Sequence, residues 1–359
     1  MEIRFPLILD GATGTELQKR GYTGESCAEQ WVLEHPETIR EVQRGYLDAG
    51  SRVVYAPTFG ANRQKLEERG IMNRTAEYNR RLAALSQEAA AGRAWVAGDI
   101  APRGRFLAPL GVVSFEELVD IYTEQAAGLE EAGVDLYAIE TMMTLSDARA
   151  AVLAVRSVSD KPIFVSFTCD PTGRTLTGTD VAAALTVLQG MGVSAFGLNC
   201  SAGPAQMLPL LQRLREYARV PLLAKPNAGM PEIVDGRAVY DCPPEEFTAC
   251  VPAMLEAGVA IFGGCCGTDR THIAALRAAL EGKRPAPPPP PPPARGPPPT
   301  AKAGFHHSPA SSSLKSRSVS SATTRNCSRP RCGSIRGAHS MRGACRRRRC
   351  SPCAKNMVC

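Results

Sequence analysis

Residues 257–269 read AGVAIFGGCCGTD, and the order of residue types in that stretch decides the fold. A helix that stops commonly needs a left-handed residue just past its end, which glycine supplies at no steric cost, and Gly258 stands in that place. The apolar run after it is short and β-prone, as a strand buried on both faces reads. It closes in two glycines and two adjacent cysteines. Gly50, Gly133 and Gly192 stand in the same position before three other apolar runs, so the unit of helix stop, buried strand and reactive strand end recurs.

Eight such runs are present: PLILDG (6–11), RVVYAP (52–57), AWVAGD (94–99), DLYAIE (135–140), PIFVSF (162–167), AFGLNC (195–200), PLLAKP (221–226) and AIFGGC (260–265). The segments between them read as helices. One is opened by SFEE at 114–117, a capping box, and is expected to run to Ala132. Alternation of buried strands with helices marks βα units around a parallel sheet. Eight units in about 250 residues predict an α/β fold of the (β/α)8 TIM-barrel type over residues 1–284, with a doubly wound open sheet as the alternative. The strand ends favour the barrel, because barrels gather reactive groups at the C-terminal ends of several strands. Asp10, Thr58, Asp99, Glu140, Cys200 and Cys265 end six of the runs, and the barrel predicts that they converge.

The 359 residues suffice for one large core or two modest ones. The net charge of +7 averages two unlike regions. No acidic residue follows Glu281; 14 of the 42 Lys and Arg fall from Pro285 onward, leaving 28 against all 35 Asp and Glu in the body. Residues 285–300 are proline-rich and predict a stiff polyproline II linker. Residues 301–359 carry few large apolar side chains and no sustained periodicity, and predict a disordered basic tail. Its abrupt composition resembles an out-of-frame reading of a GC-rich gene. RRRR at 346–349 could serve nucleic acid, but no aromatic residues stand between the charges to stack on bases, so nucleic acid is not the expected partner. The N-terminus lacks a secretory pattern and no apolar run is long enough to cross a bilayer, so the expected setting is the cytoplasm, with no membrane.

Thirteen cysteines in a cytoplasmic chain point to buried small hydrophobes, metal ligands or redox groups. Adjacent cysteines suit an ordinary disulfide poorly. In a barrel, strands six and eight open on the same mouth, so Cys200 could meet Cys265 and Cys266. Three protein ligands and one open position describe a catalytic zinc site. Gly263 and Gly264 are expected to let the backbone turn sharply there. Two other uses stand beside this one: plain packing of buried thiols, and a glycine-rich phosphate-binding turn, which would make the chain an enzyme of phosphate esters. Cys27, Cys169, Cys242 and Cys250 are assigned no role. The body's histidines, His35 and His272, fall at no strand end.

LILDGATGTEL near the start, GLNCSAGP at 197–204 and IFGGCCGT at 261–268 together resemble the homocysteine S-methyltransferase family. Within it they are most similar to the homocysteine-binding module of cobalamin-dependent methionine synthases. APTFGANR, GDIAPRG, ETM, VSFT and KPNAGMP add to the resemblance in order, over roughly residues 5–283. The resemblance implies Zn2+ on Cys200, Cys265 and Cys266, with the sulfur of homocysteine as fourth ligand and Asn227 as an exchangeable ligand without substrate. It implies Asp10 and Glu140 as carboxylates that hold the substrate ammonium, and Thr58 as a pocket residue. Methyl transfer to homocysteine, giving methionine, follows as the expected activity. Cobalamin supplied by another module or protein is the expected donor, with cobalamin- and folate-binding modules as partners. Betaine and S-methylmethionine are the alternative donors.

Overall fold

The structure is a computed structural model that describes residues 3–108, 110–234 and 237–287. Of the expected linker it describes only 285–287; the rest of that segment and the expected tail at 301–359 lie outside the described residues.

Eight parallel strands form one sheet: β1 Leu7–Ile8, β2 Val53–Tyr55, β3 Trp95–Ile100, β4 Leu136–Met142, β5 Ile163–Phe167, β6 Ala195–Asn199, β7 Leu222–Lys225 and, after a small antiparallel hairpin of β8 Glu232–Val234 and β9 Arg237–Val239, β10 Val259–Phe262. They pair in the order β1-β10-β7-β6-β5-β4-β3-β2. The remaining seam between β1 and β2 is bridged by the backbone bond from Arg52 N to Ile8 O at 2.8 Å and by Ser51 Oγ donating to Leu9 O at 2.9 Å. Each of the eight apolar runs contributes one strand. The barrel, and not the open sheet, is the outcome.

Helices cover the outside, and their ends follow the local chemistry. Ser114 caps the helix Phe115–Glu131 by accepting from Glu117 N at 3.1 Å. Gly133 (φ 76°) and Gly258 (φ 82°) take the left-handed conformation expected just before β4 and β10.

Two apolar layers follow from the period of two along each strand. One set of positions packs outward against the helices in the main core. The other set points into the tube, where Leu7, Leu9, Val53, Tyr55, Ala97, Leu136, Ala138, Phe164, Ala195, Leu223 and Ile261 form a separate buried cluster. Stepping two residues further along three of those strands reaches Asp99, Glu140 and Lys225, and two such steps lead through Gly197 to Asn199 after Ala195 and through Gly263 to Cys265 after Ile261. The strand register that fills the lower tube with hydrocarbon therefore places polar and sulfur groups together at its upper rim.

Candidate active site

The sulfur atoms of Cys200, Cys265 and Cys266 all lie within 4.8 Å of one another. Cys200 and Cys266 are 3.9 Å apart, close to the about 3.8 Å that separates two thiolates sharing a tetrahedral zinc at 2.3 Å bond lengths. Cys265 has its pKa held well below the ordinary thiol range, first by hydrogen bonding from Cys200 and Cys266, with burial opposing and the Lys225 ammonium adding. Four cysteines away from this cluster behave oppositely. Burial pushes Cys27, Cys242 and Cys250 up, and Cys169 to about 11. A lowered thiol beside two others is a ligand set; a raised, isolated one is packing.

Several backbone features hold the three sulfurs together. Cys200 sits at φ 64°, in the left-handed region, within a tight turn closed by Ser201 N to Asn199 O at 2.7 Å. For a residue with a Cβ such a conformation costs about 1–3 kcal/mol, and it aims the side chain out of the strand direction. The loop after β7 ties the two sulfur-bearing ends: Asn227 N donates to Ala202 O, Cys265 N to Pro226 O and Ala228 N to Cys266 O. Asn227 Nδ2 also donates to Cys200 O, while its Oδ1 is buried without a partner. A buried amide oxygen without a partner, on a side chain bonded to the Cys200 backbone, is a group left with an acceptor to spare.

The role expected of the two glycines needs correcting. Neither Gly263 nor Gly264 has a positive φ. Both are required by close approach: a Cβ on Gly263 would lie 2.9 Å from Leu9 Cβ and 3.0 Å from Lys225 Cγ, and one on Gly264 would clash with the Thr268 side chain. Thr268 is fully buried and its hydroxyl donates to Cys265 O at 2.7 Å and accepts from Ala12 N at 3.1 Å, which fixes the cysteine turn against β1.

The same loop weighs against a phosphate site. Gly263 N donates to Ala224 O, Gly264 N to Asp10 O, Cys265 N to Pro226 O and Gly267 N to Thr15 Oγ1, and the Cys266 amide supports the Cys265 sulfur. Amides already committed to protein acceptors do not cradle an anion.

Beneath the sulfurs lies a buried charged cluster. Asp10 Oδ2 accepts from Tyr55 N at 2.7 Å, at the seam where β1 and β2 do not pair. Lys225 Nζ lies 3.3 Å from Asp10 Oδ1 and 3.4 Å from Glu140 Oε2. Burial raises both carboxyl pKa values, Glu140 to about 7, although Lys225 pulls them down. For Lys225 burial acts downward, yet Glu140 and Asp10 outweigh it and hold the ammonium well above the usual lysine range. Asp99 is pushed well up by burial and by Glu140. Thr58 is buried too, but its hydroxyl is spent on the end of β3, donating to Asp99 O at 2.7 Å.

Because Glu140 titrates higher in the folded protein than its ordinary 4.5, the unfolded chain releases that proton first. Its contribution to stability is full below about pH 4.5 and is lost as pH rises through about 7, amounting to about 3 kcal/mol. Denaturant titrations of the metal-free protein across this window should show the wild type losing that much relative to E140Q; parallel curves would refute the assignment.

The family model described as homocysteine S-methyltransferase matches residues 7–280. This chain belongs to the homocysteine S-methyltransferase family. Its relatives include the methionine synthase of Mycobacterium tuberculosis, 33% identical over 298 residues, and that of Mycobacterium leprae, 32% identical over 292 residues. The matches cover 78% and 76% of this chain but 25% and 24% of those proteins, so the chain spans about a quarter of the length of these relatives. Among solved structures, the metallated form of the homocysteine methyltransferase MmuM from Escherichia coli superposes with a TM-score of 0.65 at 27% identity, covering 76% of this chain and 95% of that one. Its oxidised form gives 0.65 at 26% identity.

The sulfurs of Cys200, Cys265 and Cys266 thus meet at one point, Asn227 is hydrogen-bonded to the Cys200 carbonyl, and Asp10 and Glu140 are joined through Lys225. Three residues of this family member escaped the sequence reading. Lys225 stood in PLLAKP and KPNAGMP without a role assigned to it. Asn199 is fully buried, exchanges two hydrogen bonds with Thr141 and directs its amide toward Cys265 Sγ at 4.0 Å. Thr268 was hidden as the plain GT after the cysteine pair. His272 does structural work: it completes the capping box of the helix Arg270–Leu280 with Asp269, and its other nitrogen meets Cys242 O at 3.0 Å.

Proposed function

We propose that this chain transfers a methyl group to the thiol of homocysteine, giving methionine, with zinc held by Cys200, Cys265 and Cys266. The convergence of those three sulfurs above a pair of buried carboxylates, in a chain of this family, carries the reading. The residues fit the metal: thiolate donors are soft, their spacing suits a tetrahedral ion, and the orphaned Asn227 Oδ1 offers a replaceable contact. Bound there, zinc would keep the homocysteine sulfur deprotonated at neutral pH through the position that three protein ligands leave open.

The rest is the work of the chain. Asp10 and Glu140 receive the substrate ammonium, which fixes the far end of the amino acid and leaves its sulfur one way to point. The hydrocarbon layer of Tyr55, Ala97, Ala138 and Phe164 below them keeps water out of the tube. No side-chain base is assigned, since His272 is committed to its cap and His35 stacks on Trp31 at 4.4 Å. The sulfur lone pair forms the new S–C bond while the donor's bond to that methyl carbon breaks and its electron pair leaves with the donor.

We assign the donor as methylated cobalamin, presented by cobalamin- and folate-binding modules; the greater identity to the two methionine synthases than to MmuM supports this. Residues 1–284 act as the homocysteine-binding barrel in this scheme. No helix among the described residues is long and apolar enough to cross a membrane. Incubating zinc-loaded protein with homocysteine and either methylcobalamin, betaine or S-methylmethionine tests the scheme. Methionine is expected from methylcobalamin alone. Methionine from another donor would move the donor assignment, and none from any would contradict the reading.

A further inference from the structure

The groups that would seat an ammonium in this pocket already hold one. Lys225 Nζ lies between Asp10 Oδ1 and Glu140 Oε2 and 3.8 Å from the centroid of the Tyr55 ring. Two carboxylates and an aromatic face make a complete seat for a primary ammonium, which offers three N–H donors and a charge that ring faces attract. The ε-ammonium of lysine and the α-ammonium of an amino acid are the same chemical group on a tetrahedral carbon. They cannot occupy one seat together.

Resting on the reading that Asp10 and Glu140 receive the ammonium of homocysteine, we propose that Lys225 is a built-in stand-in for it: its ε-ammonium fills the seat in the ligand-free site and leaves when the amino acid enters. The stand-in answers an electrostatic need, because two carboxylates buried in an apolar tube are costly without a counter-charge. Only the side chain has to move. The Lys225 backbone is held in the ladder opposite Asn199, and its carbonyl accepts from Cys200 N at 3.2 Å. That fixed backbone keeps the sulfur cluster in place while the side chain exchanges.

Occupancy of the seat by Lys225 lowers the apparent affinity for any thiol that brings its own ammonium, in proportion to how rarely the seat is free. A thiol without an amino group meets no such competition. Lys225 is therefore a specificity-determining residue, setting how strongly the pocket favours amino-acid thiols over simple ones.

Calorimetric titration of the zinc-loaded full chain with homocysteine and with 4-sulfanylbutanoate, which lacks the amino group, separates the two effects. In K225M the ratio of dissociation constants, sulfanylbutanoate over homocysteine, should rise about tenfold above the wild-type ratio. K225Q, which can still hydrogen-bond both carboxylates, should shift the ratio the same way and serves if K225M does not fold. An unchanged ratio, including equal loss of affinity for both thiols, would show that Lys225 stays in place and would overturn the proposal, as would a fall. Wild-type protein that binds neither thiol would overturn the homocysteine reading itself, before any variant is compared.

Discussion

Replacing Cys265 with alanine should abolish zinc retention and methionine formation together. Hydrogen bonding from Cys200 and Cys266 and the charge of Lys225 hold the Cys265 thiol well below the ordinary range, so its thiolate is the favoured form. Loss of an outer-shell partner of a metal typically costs about 10–100-fold in affinity, and loss of one of three direct ligands should exceed that. Metal analysis after gel filtration should give about one zinc per chain for the wild type and almost none for C265A, with C200A and C266A behaving alike. C250S serves as the control, because Cys250 lies at the start of the short helix Val251–Glu256, with its pKa raised by burial. Zinc retained at wild-type level in C265A would remove the thiolate site from consideration.

The second large effect concerns a residue with no chemistry of its own. Gly264→Ala places a methyl group against the Thr268 side chain, which is fully buried and bonded on both sides. Thr268 has little room to yield, since it links the Cys265 carbonyl to the Ala12 amide. Overpacking of this kind costs about 1–3 kcal/mol, and the strain falls on the turn that sets the two sulfurs. G264A should lose that much stability in denaturant titration and should bind zinc about 10–100-fold more weakly. Gly190, at the end of the helix Val181–Gly190, has open space where a Cβ would go. G190A should leave zinc affinity unchanged and raise stability by about 0.5–1 kcal/mol. Equal behaviour of the two variants would show that Gly264 matters only as a flexible link.

The barrel was legible because its signals are local. A buried parallel strand reads as an apolar run, and the Gly133 and Gly258 stops mark where the chain turns from helix to strand. The convergence of Cys200 with Cys265 and Cys266 followed from topology, since the C-terminal ends of parallel strands share one face. What remained hidden depends on pairs of residues distant in sequence. Lys225 looks like any lysine before a proline until β7 is set in register, with its side chain two positions past Leu223 and pointing into the tube. The need for glycine at 263 and 264 looked like a need for unusual dihedrals, but it comes from Leu9 and Thr268, which no local rule connects to that turn. Thr58 read as a pocket hydroxyl at a strand end, yet its hydrogen is given to the neighbouring strand. Strand ends were predictable as places; which atoms there stay free was not.

Zinc K-edge absorption of the metal-loaded chain, with and without homocysteine, tests the thiolate centre most directly. Three sulfur neighbours at about 2.3 Å and one light-atom neighbour are expected without substrate, becoming four sulfurs when homocysteine is added. A first shell without three sulfurs, or one that homocysteine leaves unchanged, would contradict it.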